Sequence, residues 1–177
     1  MPAALLLLIV GVGAAFFLYP RPAAASIDES GGAGSSPPSS TWSPPDRAQP
    51  YLNAIADAEA RYGIPHNLQA RQLDIESDHY APDVIDGSRI SATGDIGIAQ
   101  FQPATAAELG VDPTDPFASI DAAARYLRQL FDQFGSWDAA LAAYNWGPGN
   151  VQRKGLAAAP ASTVAYFSKI LADVGLA

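Results

Sequence analysis

The sequence predicts an all-α fold: a compact helical domain over residues 47–177, preceded by an N-terminal apolar helix and a flexible linker. Three observations carry this. Apolar residues after Pro50 recur at helical spacing, and no run alternates at the period of a strand. Prolines and glycines bracket those runs, Pro50 before Gly63 and Pro103 before Gly110, as helix starts and stops do. The remaining ~130 residues are ordinary for one core, and 49% of the chain is hydrophobic.

From the start of the chain, Ala3 to Tyr19 is an unbroken apolar stretch of 17 residues. As a helix at ~1.5 Å per residue it is roughly 26 Å long, just short of a ~30 Å hydrocarbon core. Two readings of residues 1–25 stand side by side. Ala23-Ala24-Ala25 before Ser26 fits the cleavage site of a secretory signal, whereas the lack of positive charge before the apolar run fits an uncleaved membrane anchor. Both predict export to the periplasm or cell envelope, or placement in the membrane of a phage virion. Residues 26–46 are rich in Gly, Ser and Pro with almost no aliphatic side chains, too little apolar surface to offset ordering. They read as a tether that in polyproline geometry reaches on the order of 60 Å. Its Gly-Gly-Ala-Gly follows no strand and opens no helix, so it is no phosphate loop.

A first helix runs from Pro50 to Tyr62 with Leu52, Ile55 and Ala56 on one face. Pro65 opens a second, which carries Leu68, Gln72, Leu73, Ile75 and Glu76. A loop from Asp78 to Asp95 follows, then a short helix from Pro103 to Gly110. The next helix is expected from about Ser119 to Phe134, with Ile120, Ala123, Leu127 and Leu130 apolar. Ser136 caps another that carries Leu141 and Tyr144 and ends near Asn145. Gly147-Pro148-Gly149 reads as a turn, and Ser162 as the cap of a last helix with Val164, Phe167, Ile170 and Leu171.

Composition removes several function classes. The chain has no cysteine and two histidines, His66 and His79, so neither a disulfide framework nor a thiolate or histidine-rich metal site is expected. No cofactor is implied. The net charge is −8, and only Arg21, Asp28 and Glu29 precede Asp46, so the excess belongs to the domain, with 16 acidic and 9 basic residues. No basic run is interleaved with aromatics, and nucleic acid is not an expected partner.

Three segments put polar groups where a helical bundle does not need them: Glu76-Ser77, Gly97-Ile98-Ala99-Gln100-Phe101 and Ala143-Tyr144-Asn145. In order, Glu76-Ser77, the stretch Ser91 to Gln100 and the stretch Ala143 to Gly149 follow the pattern ES, S-x-x-G-x-x-G-[LI]-x-Q and AYN-x-GPG. Over residues 50–170 the chain resembles the lytic transglycosylase (SLT) domain, a relative of goose-type lysozyme, which implies a lysozyme-like helical fold. Two departures stand out. Asp95 occupies a place where the family commonly has Ala, and Tyr80 and Pro82 each come one position later than the family's aromatic and proline. The loop after Glu76-Ser77 therefore takes its own shape.

Glu76 lies in the last turn of its helix, where the negative end of the dipole disfavours a carboxylate. Leu73 and Ile75 nearby help to desolvate it, and both effects raise its pKa. A general acid needs such an environment near neutral pH. The resemblance implies that Glu76 protonates the oxygen between N-acetylmuramic acid (MurNAc) and N-acetylglucosamine in peptidoglycan. As a base it then takes the proton of the muramoyl C6 hydroxyl, closing a 1,6-anhydro ring. It further implies that Gln100 bonds the sugar beside the acid, and that Tyr144 places its hydroxyl on the Glu76 carboxyl and favours its protonated form. Asn145 reads an acetamido or hydroxyl group or caps its helix, and Ser77 contacts sugar or caps a helix end. Phe101 and Trp146 are candidate stacking surfaces, Phe101 also reading as core.

Ordinary glycosidases use two carboxylates. Asp83, Asp86 and Asp95 lie between Glu76 and Gln100, and Asp95 is the candidate to position water, the other reading being a turn residue. A hydrolytic lysozyme (muramidase) is thus one alternative, and a catalytically silent wall-binding or assembly module another. Glycan strands of peptidoglycan are the expected partner, with the membrane through the apolar segment. A secretion machine, a pilus or a phage virion would supply assembly partners, and Tyr144-Asn145-Trp146-Gly147 resembles phage-borne members.

Overall fold

The computed structural model describes residues 40–177. The expectations for residues 1–25 and for the tether up to Ser39 lie outside the described residues. Eight α-helices follow in order: α1 Leu52–Tyr62, α2 Leu68–Glu76, α3 Pro82–Ile85, α4 Pro103–Leu109, α5 Pro116–Phe134, α6 Trp137–Trp146, α7 Pro148–Lys154 and α8 Ala161–Asp173. Among the described residues the only extended pairing is a bridge between Ile96 and Phe101, and no helix is long and apolar enough to cross a membrane.

Helix α6 is the central element. Ala139, Ala140, Leu141, Ala142 and Ala143 are all buried, and α5, α7 and α8 pack around it. Alanine leaves no bulk between helix axes, so neighbours approach closely. Helix α5 closes the other side with Ile120, Ala123, Ala124 and Leu127, and α1 packs on it. Asp115 caps α5 by accepting from Phe117 N (3.0 Å) and Ala118 N (3.1 Å), with Pro116 in the first turn. The helix therefore starts three residues before the expected Ser119, which is instead buried.

Helix α2, which carries Glu76, is held at both ends. Its first turn is capped from outside. The buried Glu59 of α1 accepts from the backbone N–H groups of Asn67 (3.0 Å), Gln69 (2.9 Å) and Ala70 (3.3 Å). A carboxylate is favoured there and disfavoured at the other end of the same helix. On its flank, Arg71 binds Asp74 within α2 and Asp173 of α8 (2.8 Å), tying the two helices together.

The folded body begins before residue 47. Ser40 Oγ and the backbone N–H groups of Thr41 and Trp42 donate to Asp173 O at 2.9–3.2 Å. The Trp42 ring packs on the core with Arg71 above it, 5.5 Å from the ring centre. Residues 40–46, expected in the tether, are held by these hydrogen bonds and by the Trp42 ring. Two short helices were also not expected. Helix α3 sits inside the Asp78–Asp95 loop, and the Gly147-Pro148-Gly149 turn is the start of α7, with Pro148 at its first position. The last helix starts at Ala161 after Pro160, not at a Ser162 cap, and it buries Thr163, Tyr166, Ile170 and Leu171 while Val164 is exposed.

Candidate active site

Glu76 is the last residue of α2 and Ser77 its C-cap. Ser77 is fully buried; its Oγ donates to Leu73 O (2.6 Å) and accepts from Tyr80 N (3.1 Å). Both capacities of the hydroxyl are used, so Ser77 clamps the helix end and is not placed to meet a sugar. The chain then turns sharply through Asp78, His79 and Tyr80, three consecutive residues with positive φ. Such residues are held only where the surroundings over-determine them. Here Tyr80 is buried with its hydroxyl on Ala70 O (2.8 Å), and His79 Nδ1 lies 3.1 Å from Asp74 Oδ1. This is the distinct loop shape that the extra residue calls for.

The Glu76 carboxyl keeps an opening to a cleft but is otherwise enclosed. Burial pushes its pKa up to about 7; a hydroxyl donated by Tyr166 opposes the rise and the charge of Asp95 adds to it. Tyr166 Oη lies 2.6 Å from Glu76 Oε1. The tyrosine on the carboxyl is therefore Tyr166 of α8, not Tyr144. A hydroxyl donated to a carboxylate favours the ionised form, the opposite of the effect expected of Tyr144. Tyr144 instead donates to Ala99 O (2.8 Å), fastening the 96–101 loop onto α6.

That loop is the second wall. Ile96 and Phe101 exchange backbone hydrogen bonds of 3.0 and 3.1 Å, and Gly97 between them has φ +77°. A Cβ at Gly97 would lie 1.8 Å from Pro113 O. The close approach that requires glycine is to the chain's own backbone. Gln100 Nε2 donates to Gly97 O (2.9 Å), which leaves Oε1 free to accept from a ligand. Phe101 is 2% exposed and packs against Tyr144, 6.2 Å between ring centres; it is chiefly core. Asp95 closes the 91–95 turn, its Oδ2 accepting from Ser91 Oγ (2.7 Å) and from Thr93 Oγ1.

These pieces enclose a cleft of about 420 Å³ bordered by Glu76, Asp95, Gln100, Tyr144, Asn145 and Trp146. Asn145 Oδ1 accepts from Thr163 Oγ1 (2.9 Å), which turns the amide nitrogen to donation, and the α6 cap is made by Gly147 instead. The structure thus brings together residues from all three motifs. Tyr126 of α5 also lines the cleft, 5.6 Å from Tyr144 ring to ring, and was passed over in the sequence together with Tyr166. Among the described residues no group of His, Cys, Asp or Glu side chains is placed to hold a metal ion.

The family model for the transglycosylase SLT domain matches residues 53–166. The chain belongs to this family. Among curated proteins, a transglycosylase of Enterobacteria phage PRD1 is 31% identical over 127 residues, which is 71% of this chain and 43% of that protein. The chain thus aligns with under half of that relative's length. The match to the SLT domain runs from α1 into α8 and so includes Glu76, the 91–101 loop, the Ala143–Gly149 stretch and Tyr166.

Proposed function

We propose that this SLT domain is a peptidoglycan lytic transglycosylase that cleaves the MurNAc-β-1,4-GlcNAc bond with formation of 1,6-anhydroMurNAc. One observation carries the reading: the Glu76 carboxyl at the cleft is held where burial lifts it to about 7, so that acid and base forms are both accessible near neutral pH. Glu76 gives its proton to the glycosidic oxygen as the bond to the leaving sugar breaks. The 2-acetamido group steadies the oxocarbenium-like carbon. The Glu76 carboxylate then takes the C6 hydroxyl proton as O6 bonds to C1, and the enzyme is restored without consuming water. Tyr166 stabilises the carboxylate present between the two halves. Gln100, Asn145 and Trp146 position the strand. Replacing Tyr166 with Phe raises the pH at which Glu76 ionises, by about one unit for a hydrogen bond to a charged group. The alkaline limb of the kcat/KM–pH profile, which reports loss of the Glu76 proton, moves upward with it, and an unmoved profile refutes the role.

The hydrolase reading rests on Asp95, which borders the same cleft and whose charge acts on Glu76. Against it, Asp95 Oδ2 already holds two hydroxyls in its own turn. Mass analysis of the products from purified peptidoglycan decides. Anhydro ends are expected, both for the native chain and for Asp95→Asn, whose Glu76 pKa falls for want of the neighbouring charge. Reducing muramic ends that vanish in Asp95→Asn identify a lysozyme. The domain is proposed to act at the envelope, carried there by residues 3–19 as signal or anchor, to open the wall locally; likeness to a phage transglycosylase supports a role at virus entry or exit.

A further inference from the structure

Basic side chains in this acidic domain are mostly neutralised within the fold. Arg61, Arg71, Arg89, Arg128 and Lys169 each pair with an aspartate. Arg153 and Lys154 are adjacent and exposed on α7, and neither has a carboxylate partner among the described residues.

Their position is built. Asn150 Nδ2 donates to Trp146 O (2.7 Å), and Arg153 Nη2 donates to Asn150 Oδ1 (3.4 Å). The Arg153 guanidinium lies over Gly149, where a Cβ would come within 2.9 Å of Nη1. Lys154 Nζ lies 5.2 Å from the centre of the Trp146 ring. Trp146, Gly147 and Pro148 line the cleft together with Glu76, Thr93 and Asp95. Lys154 directly, and Arg153 through Asn150, thus adjoin Trp146, a residue that lines the cleft.

We propose that Arg153 and Lys154 form a carboxylate-binding subsite for the peptide stems that branch from the glycan strand. The proposal rests on peptidoglycan being the substrate. A stem leaves the ring through the lactyl group of MurNAc and carries free carboxylates, which a domain with 16 acidic residues would otherwise repel. Arginine grips such a group through a two-pronged guanidinium and lysine adds a mobile point charge. Glycine at 149 leaves the guanidinium its resting place, and the contact with Trp146 keeps the ammonium near the ring.

The test is binding of soluble, uncross-linked, stem-bearing glycan strands to the full chain, read in a Glu76→Gln background so that no cleavage intervenes. Arg153→Gln with Lys154→Gln raises Kd about three- to tenfold at low salt, as expected for two solvent-exposed charge contacts, and the difference shrinks at 0.5 M salt by screening. Arg153→Lys with Lys154→Arg restores most of the affinity. On strands whose free carboxylates have been amidated, the charged and neutralised proteins bind alike. An equal loss on amidated strands overturns the proposal, because the pair would then only support Trp146. No loss on native strands also overturns it. Cleavage by the native chain is assayed separately, so failure of the reaction and failure of the subsite are told apart.

Discussion

Replacing Glu76 with Gln is expected to lower kcat on peptidoglycan by about a thousandfold or more, since both proton transfers pass through this one carboxyl and each is worth ~10²–10⁴. The fold survives, because the Gln carbonyl still accepts the Tyr166 hydroxyl at the position of Oε1. Stability supplies a second readout with a definite sign. In the unfolded chain the carboxyl ionises near 4.5, whereas the folded protein keeps it protonated to about 7. Between those values the folded state holds more protons, so the native protein loses stability as pH rises through the window and levels off above it. The full difference is at most ~3 kcal/mol, and the opening to the cleft reduces it. Glu76→Gln has no such loss. It therefore melts several degrees above the native chain at pH 8, while the two coincide near pH 4. A melting difference that does not vary with pH, or activity retained within tenfold, would refute the account of Glu76.

How far the site was legible follows from what each feature depends on. Glu76 at a helix C-terminus is a local pattern, and its helix, its position and the loop of Asp95 and Gln100 could be read along the chain. Tyr166 depends on the rotation of α8. An apolar face of Val164, Phe167, Ile170 and Leu171 leaves Tyr166 out of the core, yet the helix buries Thr163 and Tyr166 beside Ile170 and Leu171 and leaves Val164 exposed. The polar members of that face belong there because one meets Glu76 and the other Asn145. Periodicity of apolar residues alone passes over a face that is polar for the sake of a site. Tyr144 was drawn to the wrong partner for a related reason. Motif order brings Tyr144 near Glu76, but which hydroxyl reaches the carboxyl is settled by α8, packed on α6 from far along the chain. Glu59 likewise caps α2 across ten residues, where a search for a cap just before the helix finds only Asn67, with no side-chain bond to it. The packing of residues 40–46 on the folded body did leave a trace in the sequence, Trp42, the lone aromatic in an otherwise Gly/Ser/Pro-rich stretch.

Gly97→Ala is expected to cost ~2–5 kcal/mol in denaturant unfolding. The left-handed conformation at φ +77° is worth ~1–2 kcal/mol against any residue with a Cβ. The rest is overlap: the new atom lies 1.8 Å from Pro113 O, a backbone atom that cannot rotate aside, and overpacking of this kind costs ~1–3 kcal/mol. Pro113 stands two residues before the Asp115 cap of α5, so yielding on that side loosens the helix that packs on α1 and α6. Yielding on the other side lifts the 96–101 loop, which carries Gln100 and is fastened by Tyr144 to α6. Either route couples stability to the cleft. Gly94→Ala is the internal control. It shares a positive φ of +90°, but nothing lies within 4 Å of its Cβ, so it bears the conformational part alone, ~1–2 kcal/mol. If the two variants unfold at the same denaturant concentration, the contact with Pro113 is not what makes residue 97 a glycine. If Gly97→Ala alone is destabilised and also binds glycan strands more weakly, the approach of this loop to the chain before α5 is what sets the second wall of the cleft.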